Sequence, residues 1–196
     1  ATEMAFSREA SEKGENAAFR HYAAKDALVF RPQPVLFSEY SKGVKDSGVA
    51  TKWQPHSVYM SCDGRTAIAT GAWQTSDANG YFTTVWQWFP KSRADATAQL
   101  QGVSGEGEWK WTLRHGDALK KPMPRAEMIE TKSASCKGRA SAPLSAPPVG
   151  AKMKAGYSLD QSLRWTWVVS ADGARSFQES VWDGTALEQV IAQHVA

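Results

Sequence analysis

Four histidines, an aspartate ahead of a short strand pattern, two distant cysteines and an excess of tryptophan are the residues of this chain that could do chemistry. His21, His56, His115 and His194 include no i, i+4 pair. A metal would therefore have to draw ligands from distant elements, and neither a metal nor another cofactor is expected. His56 and His115 fall on expected strands, where an imidazole near its ordinary pKa could exchange a proton at neutral pH. With Asp26 they are the candidates for general acid–base work. Each also has a plain structural reading: His115 as a hydrogen-bonded strand end, His56 as a strand opening after Pro55, Asp26 as a turn residue. The motifs that would decide for an enzyme are missing: the chain contains no HExxH, no Walker loop, no GxSxG and no GxGxxG.

Nine Trp, five Tyr and seven Phe are the compositional signal. Trp53, Trp73, Trp86, Trp88, Trp109 and Trp111 put an indole on nearly every expected strand of one sheet. Flat apolar surface with few polar anchors is what lines a small-molecule pocket. The expected lining is Phe30, Trp53, Tyr59, Trp73, Trp86 and Trp111, around a small apolar or aromatic molecule. Exposed indoles at a homodimer interface are the competing account.

Cys62 and Cys136 lie too far apart for a CxxC redox or zinc pair. In an exported protein they form one disulfide; in the cytosol they are two unrelated buried thiols. The polar setting of Cys136 favours the disulfide. The sequence opens at Ala1 without an initiator Met, which fits a processed, exported chain, periplasmic or secreted. Its 196 residues suffice for one domain with an appendage. Twenty-three basic against 20 acidic residues leave a net charge of only +3, too weak a field to argue for nucleic acid. No apolar run is long enough to span a membrane.

The elements that must position these residues follow from periodicity. Residues 2–24 read as helix in two pieces, with Phe6 and Ala10 on one apolar stripe, a stop at Gly14 and Asn16 as the second N-cap. Residues 27–31 are a short strand ended by Pro32 and Pro34. Residues 53–62 and 65–75 form a hairpin around a tight Asp63-Gly64 turn. Residues 81–89 are a strand, and 91–107 a loop. Residues 109–115 alternate, with Trp109, Trp111, Leu113 and His115 on the buried face and Lys110, Thr112 and Arg114 on the other. Residues 126–156, rich in Pro, Ala, Ser and basic side chains, read as a linker or extended arm. Residues 163–170 and 175–182 make a second hairpin, and the terminal run suits a final strand better than a helix.

Three local patterns stand out in order. They are Glu12-Lys-Gly-Glu-Asn-Ala-Ala-Phe-Arg-His-Tyr-Ala-Ala-Lys-Asp-Ala-Leu-Val-Phe30, then Ala69-Thr-Gly-Ala-Trp73 with Tyr81-Phe-Thr-Thr-Val-Trp86, then Trp109-Lys-Trp-Thr-Leu-Arg-His-Gly116. Over residues 2–117 this succession resembles the nuclear transport factor 2-like superfamily, in its SnoaL-like branch. The resemblance implies an α+β fold: N-terminal helices packed on a strongly curved, mostly antiparallel, cone-like sheet, with an apolar pocket between them. Residues 1–125 would be the cone domain, 126–156 the arm, and 157–196 a β-hairpin extension packing on the cone or on a second subunit. Relatives include cyclases, isomerases, dehydratases and association domains, so fold alone does not choose among them. A lyase, isomerase or cyclase using a pocket His, and an interaction module dimerising through the outer sheet face, stand beside the binding protein.

Overall fold

A computed structural model describes residues 1–45, 51–100, 105–138 and 146–196. The chain opens with helices α1 (Thr2–Lys13) and α2 (Glu15–Tyr22). Phe6 and Ala10 are buried as the stripe requires, and Glu3 is buried beside them. Gly14, at φ 96°, joins the helices in a conformation that favours glycine. Its N–H closes α1 on the Ala10 carbonyl, and its own carbonyl accepts from Ala18. Gly14 rather than Asn16 is therefore the N-cap of α2. The Asn16 amide instead donates to the Val44 carbonyl at 3.2 Å.

The remaining elements are β1 (Ala23–Phe30), β2 (Pro34–Leu36), α3 (Phe37–Tyr40), β3 (Lys52–Met60), β4 (Thr66–Gln74), β5 (Asn79–Pro90), α4 (Arg93–Leu100), β6 (Gly107–Ala118), β7 (Glu130–Ser133), β8 (Lys152–Tyr157), β9 (Leu163–Val169), β10 (Arg175–Trp182) and β11 (Leu187–Val195). A seven-stranded sheet runs β2-β1-β6-β5-β4-β3-β7, and a four-stranded sheet runs β11-β10-β9-β8. The first sheet is mixed, because β1·β6 and β3·β7 are parallel pairs. The fold is α+β, and the terminal run is a strand, with Ile191 and Val195 buried.

Several local expectations change. The prolines do not end the edge: the chain turns at Arg31–Gln33 and β2 pairs back on β1, with Pro34 opening an edge strand where its missing N–H is tolerated. Asp63-Gly64 lies within a longer loop, closed by the Ser61 N–H on the Thr66 carbonyl at 2.9 Å. Helix α4 occupies part of the expected loop 91–107, with Ser92 Oγ accepting from the Asp95 N–H at 3.1 Å. The expected arm contributes strands at both ends. β7 docks on β3, and β8 pairs with β9.

Two β-bulges decide which side chains reach which layer. On β6, Trp86 pairs with Trp111 but Val85 pairs with Leu113, so Thr112 is an extra residue. Trp109 and Trp111 consequently face the helices, while Leu113 joins the core on the opposite face. Simple alternation through 109–115 fails at this bulge. On β3, Pro55 pairs with Gly71 and Ser57 with Thr70, leaving His56 as the extra residue. A Cβ on Gly71 would lie 2.1 Å from the Gln54 carbonyl oxygen, so only glycine fits opposite this bulge. Trp53, Val58 and Met60 thereby serve the helix-side core, and Tyr59 the other.

The result is three layers. Phe6, Trp53, Trp86 and Trp111 anchor the core between helices and sheet. Ile68, Val85 and Leu113 meet Trp165, Trp167, Phe177 and Ile191 between the two sheets. The C-terminal unit thus packs on its own chain, and it covers the outer sheet face that a dimerising module was expected to offer. The Cys62–Cys136 disulfide ties the β3–β4 loop to the segment after β7.

Glu179 sits in this second core at 0% exposure, with no hydrogen-bond partner for either carboxyl oxygen among the described residues. Burial raises its pKa well above the ordinary carboxyl range. A raised pKa means the folded state holds a proton that the unfolded chain releases above its ordinary value near 4.5. Its contribution to stability is complete below that value and is lost as pH rises through the folded pKa. Glu179→Met is expected to stabilise the protein by about 1–3 kcal/mol at neutral pH. Urea denaturation at pH 4 and pH 7 checks this, and the advantage of the variant should grow toward pH 7.

Candidate functional site

The parallel pairing of β1 with β6 reaches Leu28↔Leu113 and stops. β6 continues along β5 to Ala118, whereas β1 turns away at Phe30 into β2. A cavity of about 550 Å³ lies around the parted strands. Because it lies at the end of a strand pair, side chains reach it from both sides of the sheet. Phe19, Trp53, Trp73, Phe82 and Arg114 come from the helix side, and His115 and Arg175 from the inter-sheet side. Phe30, Arg31 and Pro32 line it from the departing β1.

Arg114 is the group most changed by the β6 bulge. Expected on the exposed face, its side chain is only 12% exposed and stands over the rings of Phe6, Phe19, Trp53 and Phe82 at 4.8–5.4 Å. Its Nη1 donates to Thr84 Oγ1 at 2.9 Å and lies 3.6 Å from Glu3 Oε1. The two Glu3 oxygens accept the indole N–H groups of Trp53 at 2.8 Å and Trp86 at 2.6 Å. Burial raises the Glu3 pKa, opposed by the Arg114 charge and these hydrogen bonds. Burial likewise lowers that of Arg114, against the charges of Glu3 and Glu15.

His115 emerges on the other face, 2% exposed, stacked on Phe177 and edge-on to Phe30. Gln193 is its hydrogen-bond partner. The Gln193 amide nitrogen donates to Thr70 Oγ1, and its oxygen accepts from Thr83 Oγ1 at 2.8 Å. That oxygen lies 3.3 Å from His115 Nδ1, and Nε2 has no partner among the described residues. Burial, and then the charge of Arg175, pushes the His115 pKa down to about 4. The ring is neutral at neutral pH. Tyr81, also on the wall, has a buried hydroxyl without a partner among the described residues and a pKa raised to about 12, chiefly by burial.

The expected lining divides. Phe30, Trp53 and Trp73 are on the cavity wall. The Trp73 indole rests on Gly80 and donates to the Tyr81 carbonyl at 3.1 Å. Trp86 and Trp111 are solid core, at 3% and 0% exposure, with Trp111 donating to the Phe19 carbonyl. Tyr59 packs between the sheets. Of the acid–base candidates, only His115 reaches the cavity. His56 is held at the β3 bulge beside a different surface cleft that includes Met123 and Arg125. Asp26 lies exposed within β1. Among the described residues no three His, Cys, Asp or Glu side chains gather as a metal site would require.

Arg114, Arg175, Tyr81 and Glu3 were not expected at a site. The one available signal was an acidic residue, Glu3, on the same stripe as Phe6 and Ala10. Comparison with known proteins brings no match, whether among family models, curated proteins or solved structures, so the functional reading rests on the chemistry of this cleft.

Proposed function

We propose that the protein binds a small apolar or aromatic molecule in the cleft between β1 and β6, within a cone-like fold of the nuclear transport factor 2-like kind. The order of elements supports the fold reading: two helices, an edge hairpin, then β3 to β6 as successive antiparallel neighbours. The disulfide supports an exported protein, since such bonds persist in oxidising compartments. One observation carries the binding reading. Phe19, Phe30, Trp53, Trp73 and Phe82 surround a cavity of about 550 Å³, which lies in the size range of small-molecule pockets.

The test is a fluorescence titration with 2-naphthol, a neutral planar probe. Saturable one-to-one quenching of indole emission is expected. Trp73→Ala, at a partly buried position on the edge of the helix-side core, should weaken binding about tenfold, equivalent to about 1.4 kcal/mol, in a variant whose circular dichroism matches the wild type. Linear, unsaturable quenching identical in the wild type and the variant would remove the reading.

A further inference from the structure

Three arginines line the cleft: Arg31, Arg114 and Arg175. Arg31 and Arg175 have no carboxylate within 4.0 Å among the described residues. Arg114 has one, Glu3 at 3.6 Å, which balances its charge while also accepting two indole N–H groups, so what Arg114 offers a guest is its remaining N–H donors. A guanidinium carries five N–H donors. Arg114 uses one in a short bond to Thr84, and Arg175 uses one on the Gly116 carbonyl at 2.7 Å. The Nε of Arg175 is buried with no acceptor among the described residues.

The acids of the wall offset this in part, through the charge of Asp117 on Arg175 and of Glu15 on Arg114, but with no contact at ion-pair distance among the described residues. Glu15 accepts from the Thr51 hydroxyl at 2.9 Å, and Asp117 forms no ion pair with Arg114 or Arg175 at hydrogen-bonding range. After burial, the charge of Arg175 also helps to keep His115 unprotonated, as a neighbouring cation does. Aromatic rings interleaved with guanidinium groups that keep unfilled donors describe an amphiphilic guest with an anionic end.

We propose that the molecule held here is an aromatic carboxylate, its ring against Trp53 and Trp73 and its anionic group taken by the guanidinium groups of Arg114 and Arg175. This rests on the reading of the cleft as a ligand site and adds the charge of the ligand to it. A carboxylate matches the fork of a guanidinium in both geometry and charge. A neutral carbonyl satisfies the donors but leaves the charge uncompensated.

The experiment is calorimetric titration of the full chain with 2-naphthoate and with its neutral counterpart 2-naphthamide, at low salt. Naphthoate is expected to bind at least about tenfold more tightly. Arg175→Met should bring the two probes to within about threefold, and Arg175→Lys should keep part of the preference. Arg114→Lys, which retains a cation beside Glu3 and so preserves the core, should weaken naphthoate and spare naphthamide. Equal binding of the two probes, or a preference untouched by both arginine variants, overturns the carboxylate assignment and leaves the cleft as a site for neutral guests. Binding of neither probe at millimolar concentration overturns both.

Discussion

Replacing Glu3 with leucine is expected to destabilise the protein by about 3–5 kcal/mol, the range for removing one partner of a buried ion pair. The carboxylate is 6% exposed, accepts the indole N–H groups of Trp53 and Trp86, and is the carboxylate paired with the guanidinium of Arg114. Its loss leaves two buried indole donors unpaired and a cation among four aromatic rings without its counter-charge. Glu3→Gln should fall between wild type and leucine, because an amide offers one oxygen where the carboxylate offers two. Pairing Glu3→Leu with Arg114→Met should recover part of the loss, since the second change removes the orphaned charge. Urea denaturation of the four proteins measures all of this. A leucine variant within about 1 kcal/mol of wild type would mean that water or the cleft takes over the role of Glu3.

The second large effect belongs to the disulfide. Cys62 and Cys136 are 74 positions apart, and closing a loop of that length restricts the unfolded chain by about 4 kcal/mol on the chain-entropy account. The bond also anchors β7, an edge strand of four residues that pairs only with β3. The double variant Cys62→Ala, Cys136→Ala is therefore expected to lose stability globally and to lose protection first at β7. The urea midpoint reports the first effect. Hydrogen exchange at the Ala134 amide, which donates to the Met60 carbonyl at 2.8 Å, reports the second. An unchanged midpoint would place the constraint on the unfolded chain elsewhere.

Much of the architecture was legible in the order of residues because it depends on local rules. The break at Gly14, the strands at 81–89, 109–115, 163–170 and 175–182, and the turn regions all follow from period, propensity and turn chemistry. The disulfide was one of two open readings of the cysteines, and the structure contains it. The spacing of the terminal run fits a helix as well as a strand; the hairpin-type turn at Asp183-Gly184 favours the strand, and β11 forms on β10, with a bulge at Val190 that parts Leu187 from the face of Ile191 and Val195.

The errors concentrate where a single extra residue reverses a face. Alternation through 109–115 assigned Arg114 to solvent and grouped Trp111 with His115. The bulge at Thr112 sends Arg114 into the aromatic core and puts Trp111 and His115 on opposite sides of the sheet. The bulge at His56 likewise takes Tyr59 away from Trp53. Nothing local marks either one. They are fixed by partners on other strands, such as Gly71, whose missing Cβ makes the close approach possible.

The sequence by itself determined an α+β chain rich in aromatic strands, a helix pair with a glycine between, and two cysteines able to pair, since each depends on residues close in the chain or on their types alone. Only the tertiary structure decided where β1 leaves β6, which tryptophans are wall and which are filling, and that Glu3 and Arg114 meet across the core. Those outcomes depend on strand register and layer stacking, which join residues far apart in the chain and are set by packing that no local pattern encodes.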